Sequence, residues 1–161
     1  MKKILSIIMG SQSDLETVNE AIKLLKEFKV GFEIKVLSAH RSPKELAKYV
    51  EDAPGRGTKI FIAAAGGAAA LAGVVASHTT LPVIGVPIET KSLKGLDSLL
   101  STVQMPQGVP VACMPIGKAG AKNAAIFALE ILGIRDKSIN SKLIRYKKEM
   151  RLNIKKIRIK L

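Results

Sequence analysis

The stretch 59-KIFIAAAGGAAALAGVVASHTTLPVIGVPIE-89 decides the fold. It holds two apolar runs, residues 59–64 and 82–86, too continuous for strands with one wet face. Between them Gly66-Gly67 breaks the chain, and the small side chains of residues 68–77 recur at helical spacing. Strand, glycine turn, helix and strand make a βαβ unit, whose two strands lie parallel. No charged side chain occurs from Ile60 to Ile88, which is long enough to raise the question of a membrane span. Gly66, Gly67 and Pro82 interrupt it, however, and its middle is mostly Ala, which favours insertion less than Leu or Ile. A buried α/β core explains the stretch, and no membrane partner is expected.

The same alternation continues outward in both directions. Upstream, residues 3–9 (KILSIIM) read as a buried strand, followed by Gly10-Ser11-Gln12-Ser13-Asp14 and a helix to about residue 29. That helix places Val18, Ala21, Ile22, Leu24, Leu25 and Phe28 on one face. Residues 33–38 form a second strand, and Ser42-Pro43 opens a helix over 44–53, with Ser as N-cap and Pro at the first helical position. Downstream, residues 96–103 are helical, 109–114 form a fifth strand, 119–132 a helix closed by Gly133, and 137–155 a last, charged helix. The pattern predicts an α/β fold: a three-layer doubly wound sandwich, flavodoxin-like, with a mainly parallel five-stranded sheet plus a C-terminal helix. A single domain is expected over residues 1–161, with a core at 1–134 and a basic helical tail at 135–161.

Length and composition agree with that reading. A chain of 161 residues has the size of one domain and can bury roughly 70% of its unfolded surface. Hydrophobic residues at 47% exclude a disordered chain. Cys113 is the only cysteine, so neither an internal disulfide nor a cysteine-based zinc site is available. Met1-Lys2-Lys3 runs straight into the first strand rather than into a secretory leader, and a reducing, cytoplasmic location is expected. The net charge of +13 is uneven: residues 135–161 carry 11 basic and 2 acidic side chains. Such a tail fits RNA or another anionic partner, or simply a solvated basic helix. With no Trp, two Tyr and four Phe the chain lacks the stacking platforms of single-strand binders, so no nucleic-acid partner is expected.

In a doubly wound fold, ligands bind at the carboxyl ends of the strands, where the strand order reverses. Gly10 after the first strand lets the backbone approach a ligand, while Ser11, Ser13 and the following helix N-terminus offer donors to an anion. Asp14 can accept from sugar hydroxyls; equally, Ser13 or Asp14 can serve only as a helix cap. After the second strand come Ser38-Ala39-His40-Arg41-Ser42-Pro43. There Arg41 offers a fixed charge and a bidentate fork to a phosphate or carboxylate, and His40 can move a proton near neutral pH. A histidine that merely caps the turn is the alternative. No G-x-G-x-x-G and no Walker A pattern is present, so neither dinucleotide nor ATP is implied. His78, at the end of the small-residue helix, reads as structural.

Together these motifs have a family likeness. Residues 9–14 (MGSQSD), 38–43 (SAHRSP), 65–69 (AGGAA), 81–87 (LPVIGVP) and 97–112 (DSLLSTVQMPQGVPVA) resemble the class I form of N5-carboxyaminoimidazole ribonucleotide mutase, of purine biosynthesis. The likeness covers about residues 3–134, in order and with family-like spacing. It implies transfer of a carboxyl group from the exocyclic N5 of an aminoimidazole ribonucleotide to ring carbon C4, without metal, ATP or organic cofactor. It also implies a homo-octamer with sites at subunit junctions. By motif, Ser11, Ser13, Asp14, Ser38 and Arg41 would hold the ribose phosphate, and His40 would be the acid–base residue. Gly66 and Gly67 would lie against the base and the migrating carboxylate, and Gln104-Met105-Pro106 would help close the pocket.

One departure stands out. The family's third turn reads G-G-A-A-H-L-P-G, whereas this chain has Ala70 at the histidine and Ala72 at the proline. Either the reaction proceeds without that histidine or His78 replaces it. The related class II enzymes, which carboxylate the ribonucleotide directly with CO2, also lack it, so a class II-like carboxylase is the alternative. Against it, Arg41 and Ala65-Gly66-Gly67-Ala68 stand where class II chains carry S-A-H-K and A-G-R-S-N. A catalytically silent nucleotide-binding relative is the third reading.

Overall fold

The computed structural model describes residues 2–159. Its centre is a five-stranded sheet in the order β2-β1-β3-β4-β5, with every neighbouring pair parallel. The strands are β1 (Leu5–Met9), β2 (Phe32–Val36), β3 (Ile60–Ala65), β4 (Val83–Pro87) and β5 (Ala112–Cys113). The helices are α1 (Leu15–Glu27), α2 (Pro43–Arg56), α3 (Leu71–Ser77), α4 (Leu96–Val103), α5 (Gly117–Gly133) and α6 (Lys137–Lys156). The expected flavodoxin-like order is therefore realised, with its reversal between β1 and β3.

Why these segments are strands follows from burial. All five residues of β1 and of β4 are buried, as are the first five of β3, so none of the three shows an inside–outside alternation. That is the mark of strands covered on both faces. On one face Ile8, Phe61, Ala63 and Val83 meet Leu46, Val50 and Ala53 of α2 and Leu71, Ala72 and Val75 of α3. Glycine in β4 brings the next layer closer still. A Cβ at Gly85 would stand 2.4 Å from Thr102 Cγ2, so α4 and β4 approach at a distance no other residue allows.

Register sets up the site. Met9 is level with Val36 and Ala64, and Ala65 with Pro87. The chain therefore leaves β1, β2, β3 and β4 along one rim of the sheet, and the four following loops are neighbours.

Three boundaries differ from the sequence reading by three residues, and others by one or two. The fifth strand is only Ala112–Cys113 instead of 109–114; Pro110 has no N–H to give a ladder, and pairing with β4 starts at Ala112 opposite Ile84. The third helix starts at Leu71 instead of 68. Ala69 N donates to Gly67 O (2.8 Å) and Ala70 N to Ala68 O (2.8 Å), so those residues are spent in tight turns. The second helix runs on to Arg56, with Pro54 in its last turn and Gly57 in the left-handed conformation (φ 97°) ending it.

The chain forms two compact units, Met1–Ala125 and Ile126–Leu161, and the division falls inside α5. Within the second unit, Asp136 caps α6 by accepting from Ser138 N (2.9 Å) and Ile139 N (3.2 Å). Lys147 Nζ and Glu130 Oε1 join its two helical segments at 2.7 Å.

Candidate active site

The loop after β1 is held by its own side chains. Gly10 N donates to Ala64 O (3.0 Å), carrying the β1–β3 ladder one residue past the strand. Ser11, extended at φ −148°, then caps a single 3-10 turn, Gln12–Asp14, that leads into α1. Ser11 Oγ accepts from Ser13 N (3.3 Å) and from Ser13 Oγ (2.9 Å), and Ser11 N donates to Asp14 Oδ2 (3.0 Å). Capping is thus real in this loop, but Ser11 performs it, in a reciprocal box with Asp14. Asp14 is buried, and burial pushes its carboxyl above the usual range. The Ser11 N–H, the Ser13 hydroxyl and the charge of Arg41 oppose that rise.

The loop after β2 is braced more tightly. Leu37 N donates to Met9 O (2.9 Å). Ser38 N donates to Ser42 Oγ (2.9 Å), Ser42 Oγ donates to Ser38 O (3.2 Å), and Ser42 N donates to the same carbonyl (3.0 Å). Ser42 sits at the N-cap position of α2, as expected, yet its hydroxyl makes no cap bond to the helix; it closes the loop on itself. Arg41 N donates to Ser38 Oγ (3.2 Å), and Arg41 Nη2 crosses to Gly10 O (2.8 Å). Arg41 Nε also donates to Ser38 Oγ (3.4 Å), so the guanidinium ties the first loop to the second and, among the described residues, keeps Nη1 without a partner. His40 is exposed, and among the described residues its imidazole has no hydrogen-bond partner. It does not cap the turn.

Beyond β3 the chemistry changes. Ala65, Gly66, Ala68, Ala70 and Leu71 make an apolar wall with Ile88. Gly67 is not part of that wall. Its left-handed backbone (φ 71°) aims its N–H at Ser98 Oγ (2.9 Å), and Ser98 in turn donates to Ile88 O (2.7 Å). Gly67 therefore fixes the turn to α4, whereas Gly66 faces the cavity. His78 lies at the far end of α3, with Nδ1 2.9 Å from Glu51 Oε1, and does not take the place of a histidine at 70. Met105 packs on Gly73, where a Cβ would meet its sulfur at 3.2 Å, and residues 104–106 do not line the cavity.

Residues 88–91 after β4 complete the rim. Thr90 Oγ1 donates to Asp97 Oδ1 (2.8 Å) and accepts from Gly95 N (3.3 Å), which anchors this loop to the start of α4. The sequence puts Glu89 at the ligand end of the fourth strand but assigns it no role, and Thr90 and Lys91 belong to no motif there. Their signal was available in principle: polar residues at the carboxyl end of a strand in a doubly wound sheet are site candidates by position alone.

These loops enclose one cavity of about 630 Å³, within the usual range for small-molecule sites. Ser11, Ser13, Asp14, Ser38, His40, Arg41 and Gly66 all line it. Among the described residues no group of three or more His, Cys, Asp and Glu side chains is placed to hold a metal ion.

Comparison with known proteins gives a consistent picture. The family model described as AIR carboxylase matches residues 4–153. The chain is 51% identical over 154 residues to the N5-carboxyaminoimidazole ribonucleotide mutase of Saccharolobus solfataricus, covering 96% of each sequence. To the protein of that name from Bacillus subtilis it is 54% identical over 143 residues, covering 89% of this chain and 88% of the other. The crystal structure of Treponema denticola PurE superposes with a TM-score of 0.86 at 27% identity, covering 94% of each chain.

Proposed function

This chain belongs to the AIR carboxylase family, and from that membership we infer that it is an N5-carboxyaminoimidazole ribonucleotide mutase, an isomerase of purine biosynthesis. One observation carries the assignment of roles. His40 and Arg41, adjacent in sequence, open into the same cavity as Ser11, Ser13, Asp14 and Ser38, and the facing wall is Ala, Gly and Leu. In this reading Ser11, Ser13, Ser38 and the open side of Arg41 hold the ribose phosphate, since hydroxyls and a guanidinium fork match its oxygens. Asp14, already engaged with Ser11 N, accepts from a ribose hydroxyl. Gly66 lets the imidazole ring lie close to the β3 backbone.

His40 then carries the proton. As imidazolium it protonates N5 while the N5–carboxylate bond breaks, leaving a neutral aminoimidazole and CO2. The ring's C4 attacks the CO2 carbon, and the new C4–carboxylate stands on a tetrahedral carbon that still bears its hydrogen. Neutral His40 removes that proton, restoring both the aromatic ring and its own starting state. One titratable group serves both transfers, which suits a side chain that has no hydrogen-bond partner among the described residues and can follow the ring. The apolar wall keeps CO2 beside C4 in place of water. We take the working form to be a cytoplasmic homo-octamer, in which neighbouring subunits cover the cavity.

The test is turnover of the N5-carboxy ribonucleotide without added bicarbonate, which is the expected result. Turnover of the decarboxylated ribonucleotide only with CO2 would replace the mutase by the direct carboxylase that Ala70 allows. No turnover on either, with binding retained, would make the chain a silent nucleotide binder.

A further inference from the structure

Besides His40, the cavity is lined by two basic side chains, Arg41 and Lys91, and the roles above use only the first. Arg41 follows β2, and Lys91 follows β4. With the order β2-β1-β3-β4, three strand spacings separate their bases, about 14 Å. The substrate has the same polarity: a phosphate at one end of the ribose and a migrating carboxyl group at the far side of the imidazole. Resting on the mutase reading, we propose that Lys91 is the counter-ion of the migrating carboxyl group.

Four features point to it. On the β3–β4 side the cavity is lined by Ala65, Gly66, Ala68, Ala70, Leu71, Ile88, Glu89, Thr90 and Lys91, so Lys91 is the sole cation there. A carboxylate brought beside Ala70 and Ile88 loses water and requires an opposite charge, and Glu89 on the same wall makes that requirement stricter. Lys91 has no ion-pair partner among the described residues, in contrast to Lys118, held by Glu16 at 2.7 Å. Finally, its base is anchored. Thr90 is bonded to Asp97 and Gly95, and a Cβ at Gly66 would touch Ile88 Cβ at 3.4 Å and Thr90 Cγ2 at 3.6 Å. Ile88 and Thr90 thus stand beside the Gly66 turn, and Lys91, next in the chain, lines the same cavity. Its charge serves the carbamate before the transfer and the C4-carboxylate after it, while the intervening CO2 is neutral.

Calorimetric titration of the full chain with two ribonucleotides separates this role from general anion attraction. The ligands are the 4-carboxy product and the decarboxylated aminoimidazole ribonucleotide, which differ only in the carboxylate. Lys91→Met is expected to weaken the carboxylated ligand at least tenfold and leave the decarboxylated one within twofold; Lys91→Arg restores most of the loss. Arg41→Met weakens both in parallel. Equal weakening of both ligands by Lys91→Met, or no weakening of either, overturns the proposal. Failure of the unaltered protein to bind either ligand would instead overturn the mutase reading beneath it.

Discussion

Residues 38–42 and residues 66–70 follow β2 and β3, the two strands that flank β1, and both reach the same cavity. The first loop is closed by Ser38 and Ser42 through three hydrogen bonds, and Arg41 pins it to Gly10. Its polar groups are held in place before any ligand arrives, and among the described residues the only polar side chain in this loop without a hydrogen-bond partner is that of His40. The second turn exposes methyl groups and a bare backbone, and its one strong polar tether runs from Gly67 to Ser98 of α4, neither of which lines the cavity. Recognition of a fixed anion calls for the first kind of surface. Room for a small neutral molecule that must neither be solvated nor escape calls for the second.

Substitutions can break this division of labour or sharpen it. His40→Asn should lower kcat by about 10²- to 10⁴-fold, the usual worth of a positioned acid–base group, with product affinity kept within a few-fold in direct binding. A fully active variant would remove His40 as proton carrier. Arg41→Met should weaken phosphate-bearing ligands about 10- to 100-fold, from the loss of charge-assisted hydrogen bonds, and raise KM more than it lowers kcat. Ser42→Ala should lower unfolding free energy by about 1–2 kcal/mol in urea titrations, because Ser38 N loses its acceptor.

Asp14→Asn tests the burial of its carboxyl through pH. The folded protein favours the protonated carboxyl, so wild-type stability from this group is complete below its ordinary value of 3.8 and is lost as pH rises through the higher folded value. Thermal melts should therefore show the wild type gaining on Asp14→Asn as the solution is acidified toward that value. The smallest effect is expected of Gly66→Ala. Its Cβ would meet Ile88 in near-ordinary contact and its backbone is not left-handed, so stability should change by no more than about 0.5 kcal/mol. A large loss there would mean that the turn depends on glycine for more than space.

How far the chain could be read without coordinates differs between these same regions. The strands β1, β3 and β4 were visible as unbroken apolar runs, because strands covered on both faces have no other composition to choose. Ser11, Ser13, Asp14, Ser38, His40 and Arg41 were visible as polar residues at strand ends, and they meet as expected. The family likeness sets Gly66 and Gly67 together against the base; the left-handed backbone of Gly67 and its hydrogen bond to Ser98, 31 residues away, set the two apart. Lys91 is not legible in the sequence, because a charged loop residue has no periodicity and its value depends on which strand lies beside it. The fifth strand was drawn too long because apolar residues around Pro110 carry the composition of a strand without the N–H groups to pair as one.

That brevity has a use of its own. A sheet end with many free backbone groups invites another chain to add a strand, and continued addition leads to fibres. Here the last strand has two residues, with Pro110 before it and Pro115 after it, so an incoming strand would find almost no docking frame. The mostly apolar sheet interior is thus shielded from open-ended stacking by the poorest strand in the molecule.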